Sequence, residues 1–167
     1  MTRLEIVINE IKVARRYTEQ LLERVTDDDW FRQPSEGITH IAWQVGHLAV
    51  AQYSITLRRM RGSRPADVDL IPDEFHTLFG RTSVPQPDPA VNPSPELLRE
   101  VFDRVHQQAL AELPNLSDSQ LSIATDDPPH PIHSNKFEAL QWCAQHEFLH
   151  AGEIALLRRL LGNNAVW

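Results

Sequence analysis

Apolar residues recur every three or four positions in four long segments of the chain, the spacing that places side chains on one face of an α-helix. The first segment runs from about Arg3 to Val25, and Thr2 and Glu5 before and within it have the spacing of a capping box. The second segment runs from about Thr39 to Arg61, with Gly62 as its expected end. Both segments are therefore predicted to be helices.

Two further segments in the second half of the chain carry the same signals. Ser94 is the predicted N-cap of a third helix, with Pro95 at its first position and its end before Pro114. The fourth runs from about Asn135 to Leu161 and stops at Gly162. Because no strand pattern or repeat interrupts these segments, the sequence predicts an all-α fold, a four-helix bundle.

A proline-rich connection, Ser63–Pro93, joins the second and third predicted helices. Its length favours a crossover rather than a tight hairpin, with one or two helical turns in Ile71–Gly80. Another short turn is expected at Ser117–Gln120, between the third and fourth helices. With 167 residues in all, a single domain spanning residues 1–167 is the expectation.

Composition and charge narrow the range of partners. The net charge of -7 argues against nucleic acid or an anionic membrane as the main partner. A lone cysteine, Cys143, excludes an internal disulfide, and residues 1–5 have no apolar signal core, so a cytoplasmic protein is expected. A local basic run is expected to suit a helix C-terminus, with contact to an anionic substrate as the alternative: Arg58, Arg59, Arg61 and Arg64.

The strongest chemical signal is the pair His146 and His150, four positions apart on the fourth predicted helix. With Glu147 the segment reads H-E-x-x-H, the pattern of zinc peptidases. A peptidase needs a third ligand after the motif, but Glu153 and Leu156 occupy the places of the glycine and histidine of the longer peptidase pattern. A peptidase is therefore a poor interpretation.

A third ligand must come from upstream, and His47 is the best candidate. It lies midway along the uncharged second helix, directly after Gly46, which allows a neighbour to approach closely. Taken alone, it is more simply a core histidine bonded to a backbone carbonyl. Together with His146 and His150 it would give three neutral imidazoles with open positions for water or substrate, as in catalytic metal sites.

Two segments resemble the metal-binding signatures of the DinB/YfiT-like superfamily: Trp43–Ala49 and His146–Ile154. The resemblance implies a helical bundle with up-down-down-up topology, and a divalent ion, zinc or nickel, held by His47, His146 and His150. It also implies a homodimer in many members. The characterised members include low-molecular-weight-thiol S-transferases, a mycothiol-dependent isomerase and proteins labelled metal-dependent hydrolases.

The expected function is thus that of a metal-dependent enzyme acting on a small electrophilic substrate. The metal would lower the pKa of water for hydrolysis, or of a low-molecular-weight thiol for S-transfer. One alternative is a non-catalytic module that binds a metal or small molecule. A second is a metal-free helical protein whose histidines are packed in the core.

Two carboxylates near the histidine pair are candidate catalytic residues. Glu147 is a possible general base, with a solvated or metal-supporting carboxylate as the simpler reading. Glu153 could orient a ligand imidazole or accept a proton, or it could be a surface carboxylate. Cys143 is expected to be a small buried hydrophobe rather than a thiolate ligand.

The remaining histidines and the tryptophans have simpler expected roles. His40 is expected to line the entrance of the site, and His106 to lie at the surface or between helices. His130 and His133 are expected to be loop residues that no spacing links to the site. The core, rather than a substrate platform, is the expected place of three tryptophans: Trp30, Trp43 and Trp142.

Overall fold

The computed structural model describes residues 1–125 and 130–166. Regular structure in these residues is helical, and the β-structure consists of one isolated antiparallel bridge between Ala124 and Asn135. The all-helical class is confirmed, and the up-down-down-up order of a four-helix bundle stays a prediction. The α-helical segments are α1 (Arg3–Leu22), α2 (Ile41–Gln52), α3 (Arg59–Arg61), α4 (Asp67–Leu70), α5 (Asp73–Phe79), α6 (Pro95–Glu112), α7 (Asp118–Leu121) and α8 (Lys136–Leu160). Short 3₁₀ turns occupy Asp27–Asp29, Pro89–Val91 and Leu113–Asn115.

The predicted helix starts agree with the structure. The Thr2 side chain accepts from the Glu5 backbone N–H, and the Glu5 carboxylate accepts from the Thr2 backbone N–H, which completes a capping box at α1. Ser94 caps α6 and Asn135 caps α8. The end of α1 was predicted three residues too late, since the helix stops at Leu22.

The second long helix contains a π-helical turn that the sequence did not predict. Helix α2 continues through the π-helical residues Tyr53–Arg58 into α3 and ends at Gly62, whose φ of 81° suits glycine. The Thr56 hydroxyl donates to the Gln52 carbonyl (2.7 Å) within this turn. The predicted stretch Thr39–Arg61 is thus one long helical element with a local change of phase.

Packing brings the two histidine-bearing helices together. Helix α1 lies along α8, and α2 contacts α5, α6 and α8. The shared core consists of buried aliphatic and aromatic residues, with Trp30 and Phe75 among the largest. Across the described residues, no helix combines the length and the apolar character that a membrane crossing needs.

A buried polar network connects the four long helices. The Arg15 guanidinium donates from Nε to Glu147 Oε1 (2.8 Å), from Nη1 to the Phe102 carbonyl (2.9 Å) and from Nη2 to Gln52 Oε1 (2.7 Å). Gln52 Nε2 lies 3.1 Å from His106 Nδ1. The ion-paired side chains of Arg15 and Glu147 are only 2% and 3% exposed. The network therefore ties α1, α2, α6 and α8 to one another through hydrogen-bonded, desolvated groups.

Candidate metal centre

Three histidines from two helices converge at one point. His47 lies on α2, and His146 and His150 lie one turn apart on α8; one ring nitrogen of each lies within 4.8 Å of the others. The Nε2 atoms of His146 and His150 are 3.2 Å apart. Two imidazole nitrogens bound to one ion at about 2.1 Å can be at most about 4.2 Å apart. A small ring rotation would therefore let all three histidines share one ion.

The second ring nitrogen of His47 is fixed by the backbone. His47 Nδ1 lies 2.8 Å from the carbonyl oxygen of Phe79, at the end of α5. Because a carbonyl can only accept, Nδ1 carries the proton and Nε2 keeps its lone pair. The carbonyl partner expected for a core histidine is thus present, and it also selects the tautomer that a metal ligand needs.

His150 is held in the same way by two side chains. Its Nδ1 donates to Gln44 Oε1 (2.5 Å) and to Glu153 Oε2 (2.9 Å), which leaves Nε2 for a ligand. The hydrogen bond from His150 lowers the pKa of Glu153, which keeps this carboxylate ionised. Sequence reasoning missed Gln44, although its position three residues before His47 on α2 places both on one helix face.

Gly46 permits the contact that positions His47. A Cβ atom at Gly46 would lie 2.4 Å from the Phe79 ring, closer than real Cβ contacts allow. The ring therefore packs directly on the α2 backbone, and the adjacent carbonyl of Phe79 reaches His47. The expected close approach at Gly46 is confirmed, and the neighbour is Phe79.

Two tryptophans flank the histidines. The Trp43 ring stacks on His47, with centroids 4.7 Å apart and planes 5° apart, and its Nε1 donates to Ser83 Oγ (2.9 Å). Trp142 is tilted against His146, with centroids 5.6 Å apart. Both tryptophans are partly exposed, whereas Trp30 is buried. Trp30 lies in the core, as expected, and Trp43 and Trp142 pack against that core while they also flank the histidine site.

Burial keeps two of the ligand candidates, His47 and His146, neutral. Desolvation lowers the pKa of His47, and it lowers the pKa of His146 to about 3, helped by the neighbouring imidazoles. An imidazole must be deprotonated at the coordinating nitrogen to bind a metal. At neutral pH these two rings are therefore in the form that a cation requires.

The candidate carboxylates lie in different environments. Glu147 is 2% exposed and ion-paired to Arg15, so the expectation of a solvated carboxylate is wrong. Its role as a general base stays a prediction. The Glu153 side chain is 54% exposed and bonded to His150. Cys143 is buried, burial raises the pKa of its thiol, and it lies outside the three-histidine group.

Other histidines differ partly from expectation. His40 is fully buried: its Nδ1 accepts from the Trp43 backbone N–H and its Nε2 lies 2.9 Å from the Gln86 carbonyl. It therefore caps α2 instead of lining an open entrance. His106 is buried between helices against Gln52, which agrees with the interhelical alternative.

Comparison with known protein families places the chain in a superfamily of helical proteins. The family model of the DinB superfamily matches residues 10–154, a stretch that contains His47, His146 and His150. No curated protein matches the chain.

Proposed function

We propose that this chain, which belongs to the DinB superfamily, is a metal-dependent enzyme that acts on a small electrophilic molecule. His47, His146 and His150 would hold one divalent ion, zinc or nickel, since three imidazoles suit both. The observation that carries the proposal is the convergence of these three rings from α2 and α8.

The donor set fits such an ion. The Nδ1 atoms of His47 and His150 are committed to oxygen acceptors, so their Nε2 lone pairs are available. In the described residues the cluster has three protein ligands, and neither Cys143 nor Glu153 joins as a fourth. Three protein ligands leave the fourth position of a tetrahedral ion for an exchangeable molecule, which favours catalysis over a closed structural site. Bound there, the ion would supply the Lewis acidity that activates water or a thiol and polarises the electrophile.

The surrounding residues have separate proposed roles. Glu153 accepts the Nδ1 proton of His150 and increases the basicity of that imidazole. Trp43 and Trp142 limit water access and provide flat surfaces for substrate. Because the Cys143 thiol is buried and its pKa is raised, a nucleophilic thiol would come from a low-molecular-weight thiol rather than from the chain.

Two further proposals rest on membership of the superfamily rather than on the site. One is the up-down-down-up order of the long helices, and the other is a homodimer. Light scattering after size-exclusion chromatography measures the second directly, with twice the 19.1 kDa chain mass as the expected result.

Metal binding tests the proposal first. Metal-free protein is titrated with zinc and nickel, and bound metal is measured by elemental analysis after desalting. We expect one ion per wild-type chain and its loss in His47→Ala, His146→Ala and His150→Ala. His76→Ala is the matched control, since His76 is exposed on α5 and outside the cluster. Undiminished metal in the cluster variants would overturn the proposal.

Catalysis is tested on the loaded protein with two probe reactions. One is conjugation of glutathione to 1-chloro-2,4-dinitrobenzene, which reports S-transfer, and the other is hydrolysis of 4-nitrophenyl acetate. We expect one of the two rates to fall on chelation and to recover with added metal. Stoichiometric metal with neither reaction, and no chelation-dependent turnover on a wider panel of electrophiles, would favour the non-catalytic binding module.

A further inference from the structure

His130 and His133 form a stacked pair near the histidine site, which their spacing in the sequence did not predict. Their ring centroids are 4.2 Å apart and their planes differ by 5°. His133 is 3% exposed, while His130 is partly exposed. A buried ring therefore supports a more accessible one.

The hydrogen bonds of the pair leave the same nitrogen of each ring available. The backbone N–H of Ile132 donates to His130 Nδ1 (3.3 Å), so a neutral His130 carries its proton on Nε2. His133 Nδ1 lies 3.1 Å from the Thr125 hydroxyl, and His133 Nε2 is buried without a hydrogen-bond partner in the described residues. Buried polar atoms in native proteins normally have a partner, so this nitrogen points to a ligand.

The pair is separated from the candidate metal ligands by one aromatic ring. The His130 and Trp142 centroids are 5.9 Å apart, and those of Trp142 and His146 are 5.6 Å apart. One small molecule with two functional groups would therefore be long enough to reach both the pair and the candidate metal ligands.

Charged groups of both signs lie within electrostatic range of the pair. After burial, the guanidinium groups of Arg59 and Arg81 are the causes that lower the pKa of His130, so both lie within electrostatic range. Among the described residues, Glu138 is the acidic group that acts on His133, and its carboxylate accepts from the backbone N–H (2.7 Å) and the hydroxyl (2.8 Å) of Ser134. The charge of Glu138 is thus partly satisfied locally by Ser134.

We infer that the His130–His133 pair is a subsite for an oxyanion group, a carboxylate or a phosphate, of the substrate whose reactive group lies at His47, His146 and His150. With the Thr125 hydroxyl donating to His133 Nδ1, both rings carry their proton on Nε2, and two parallel imidazoles can then donate to two oxygens of one group. They suit a second metal ion poorly, because lone pairs in two stacked planes do not converge on one point. Its use as a substrate subsite rests on the proposed function, which it deepens by naming the substrate class as small anionic electrophiles.

The test uses metal-free, full-length protein, so that the added anion has no metal to bind. Inorganic phosphate, and acetate in a separate arm, are titrated while the imidazole resonances of the histidines are followed by NMR. We expect saturable shifts at His130 and His133 with dissociation constants on the order of 1 mM. The two arms show whether a phosphate or a carboxylate is preferred.

Three variants make the assignment specific. His130→Phe keeps an aromatic ring in the stack but removes its donor, and we expect at least a tenfold loss of affinity. Arg81→Gln should weaken binding severalfold at low salt. The effect should be smaller at high salt, because salt already screens the charge of Arg81. His76→Phe is the control, and its affinity should equal that of the wild type.

Two results would overturn the subsite. One is the absence of a saturable response in the wild type, which is the outcome expected if only water occupies the space beside His133 Nε2. The other is an unchanged response in His130→Phe. Because the assay contains no metal, its outcome is independent of the metal titrations: a failed metal site leaves the anion response measurable, and a failed subsite leaves the metal result standing.

Discussion

Replacing Glu147 by glutamine separates its two candidate roles, general base and partner of a buried cation. The substitution keeps the shape and one oxygen acceptor but removes the charge that faces Arg15. Since Arg15 is 2% exposed, its guanidinium would remain desolvated without a counter-ion. Breaking a buried pair in this way costs about 3–5 kcal/mol. Because glutamine still accepts from Nε, we expect about 3 kcal/mol of lost unfolding free energy.

Denaturant unfolding of the metal-free protein measures this cost. The exposed pair of Arg104 and Glu100 has a similar N–O distance of 2.8 Å, with side chains 34% and 64% exposed. Glu100→Gln is therefore the matched control, with an expected change of about 0.5 kcal/mol. Metal content of the Glu147→Gln protein, kept below its unfolding midpoint, should stay at one ion per chain if Glu147 is not a ligand.

A double variant completes the cycle. Arg15→Met with Glu147→Leu removes both charges, although Gln52 and the Phe102 carbonyl each lose a donor, at about 1 kcal/mol apiece. We expect the double variant to be more stable than Glu147→Gln. Its loss of unfolding free energy should be far smaller than the summed losses of Arg15→Met alone and Glu147→Leu alone. A Glu147→Gln cost below about 1 kcal/mol, together with lost turnover, would refute the ion-pair reasoning and support the general base.

Three further predictions concern the histidine site and pH. Gly46→Ala should cost about 1–3 kcal/mol of unfolding free energy and weaken metal binding, because the new Cβ displaces the Phe79 ring. Gly152→Ala on α8, where nothing lies within 4 Å of the added Cβ, should be neutral or stabilising by up to about 1 kcal/mol. Equal denaturation midpoints of the two variants would contradict this. Gln44→Ala should raise the metal dissociation constant about 10–100-fold in calorimetric titrations, because His150 loses an orienting acceptor, and an unchanged constant would remove Gln44 from the site. Burial lowers the pKa of His106 to about 3, so below about pH 6.5 the unfolded chain takes up a proton that the folded protein does not. The free energy of unfolding should therefore fall between about pH 6.5 and pH 3, by up to about 1.4 kcal/mol per pH unit. His106→Asn should make this dependence on pH less steep.

Local signals explain why the helices could be predicted. Capping residues such as Thr2, Ser94 and Asn135 act within four positions of the chain, and each caps the expected helix. Short helices were likewise expected near residues 71–80 and 117–120, where α5 and α7 lie. The π-helical turn at Tyr53–Arg58 could not be foreseen, since it depends on how the long second helix packs.

Long-range partners explain what sequence reasoning missed at the site. The pair His146 and His150 is visible at a spacing of four, and His47 was inferred from its uncharged helix. The partner of Glu147 is Arg15, 132 positions away, so its burial left no local trace. The stacking of His130 on His133, and its place next to Trp142, arise in the same way from tertiary packing.

The shared ion is tested most directly by X-ray absorption spectroscopy at the metal edge of the loaded protein. The account predicts three imidazole nitrogens at about 2.0–2.1 Å and at least one light, exchangeable oxygen ligand. Fewer than three imidazoles, or a sulfur at about 2.3 Å from Cys143, would contradict it. The same spectrum of His47→Ala should show that one imidazole has been lost, because His47 is the ligand that α2 contributes.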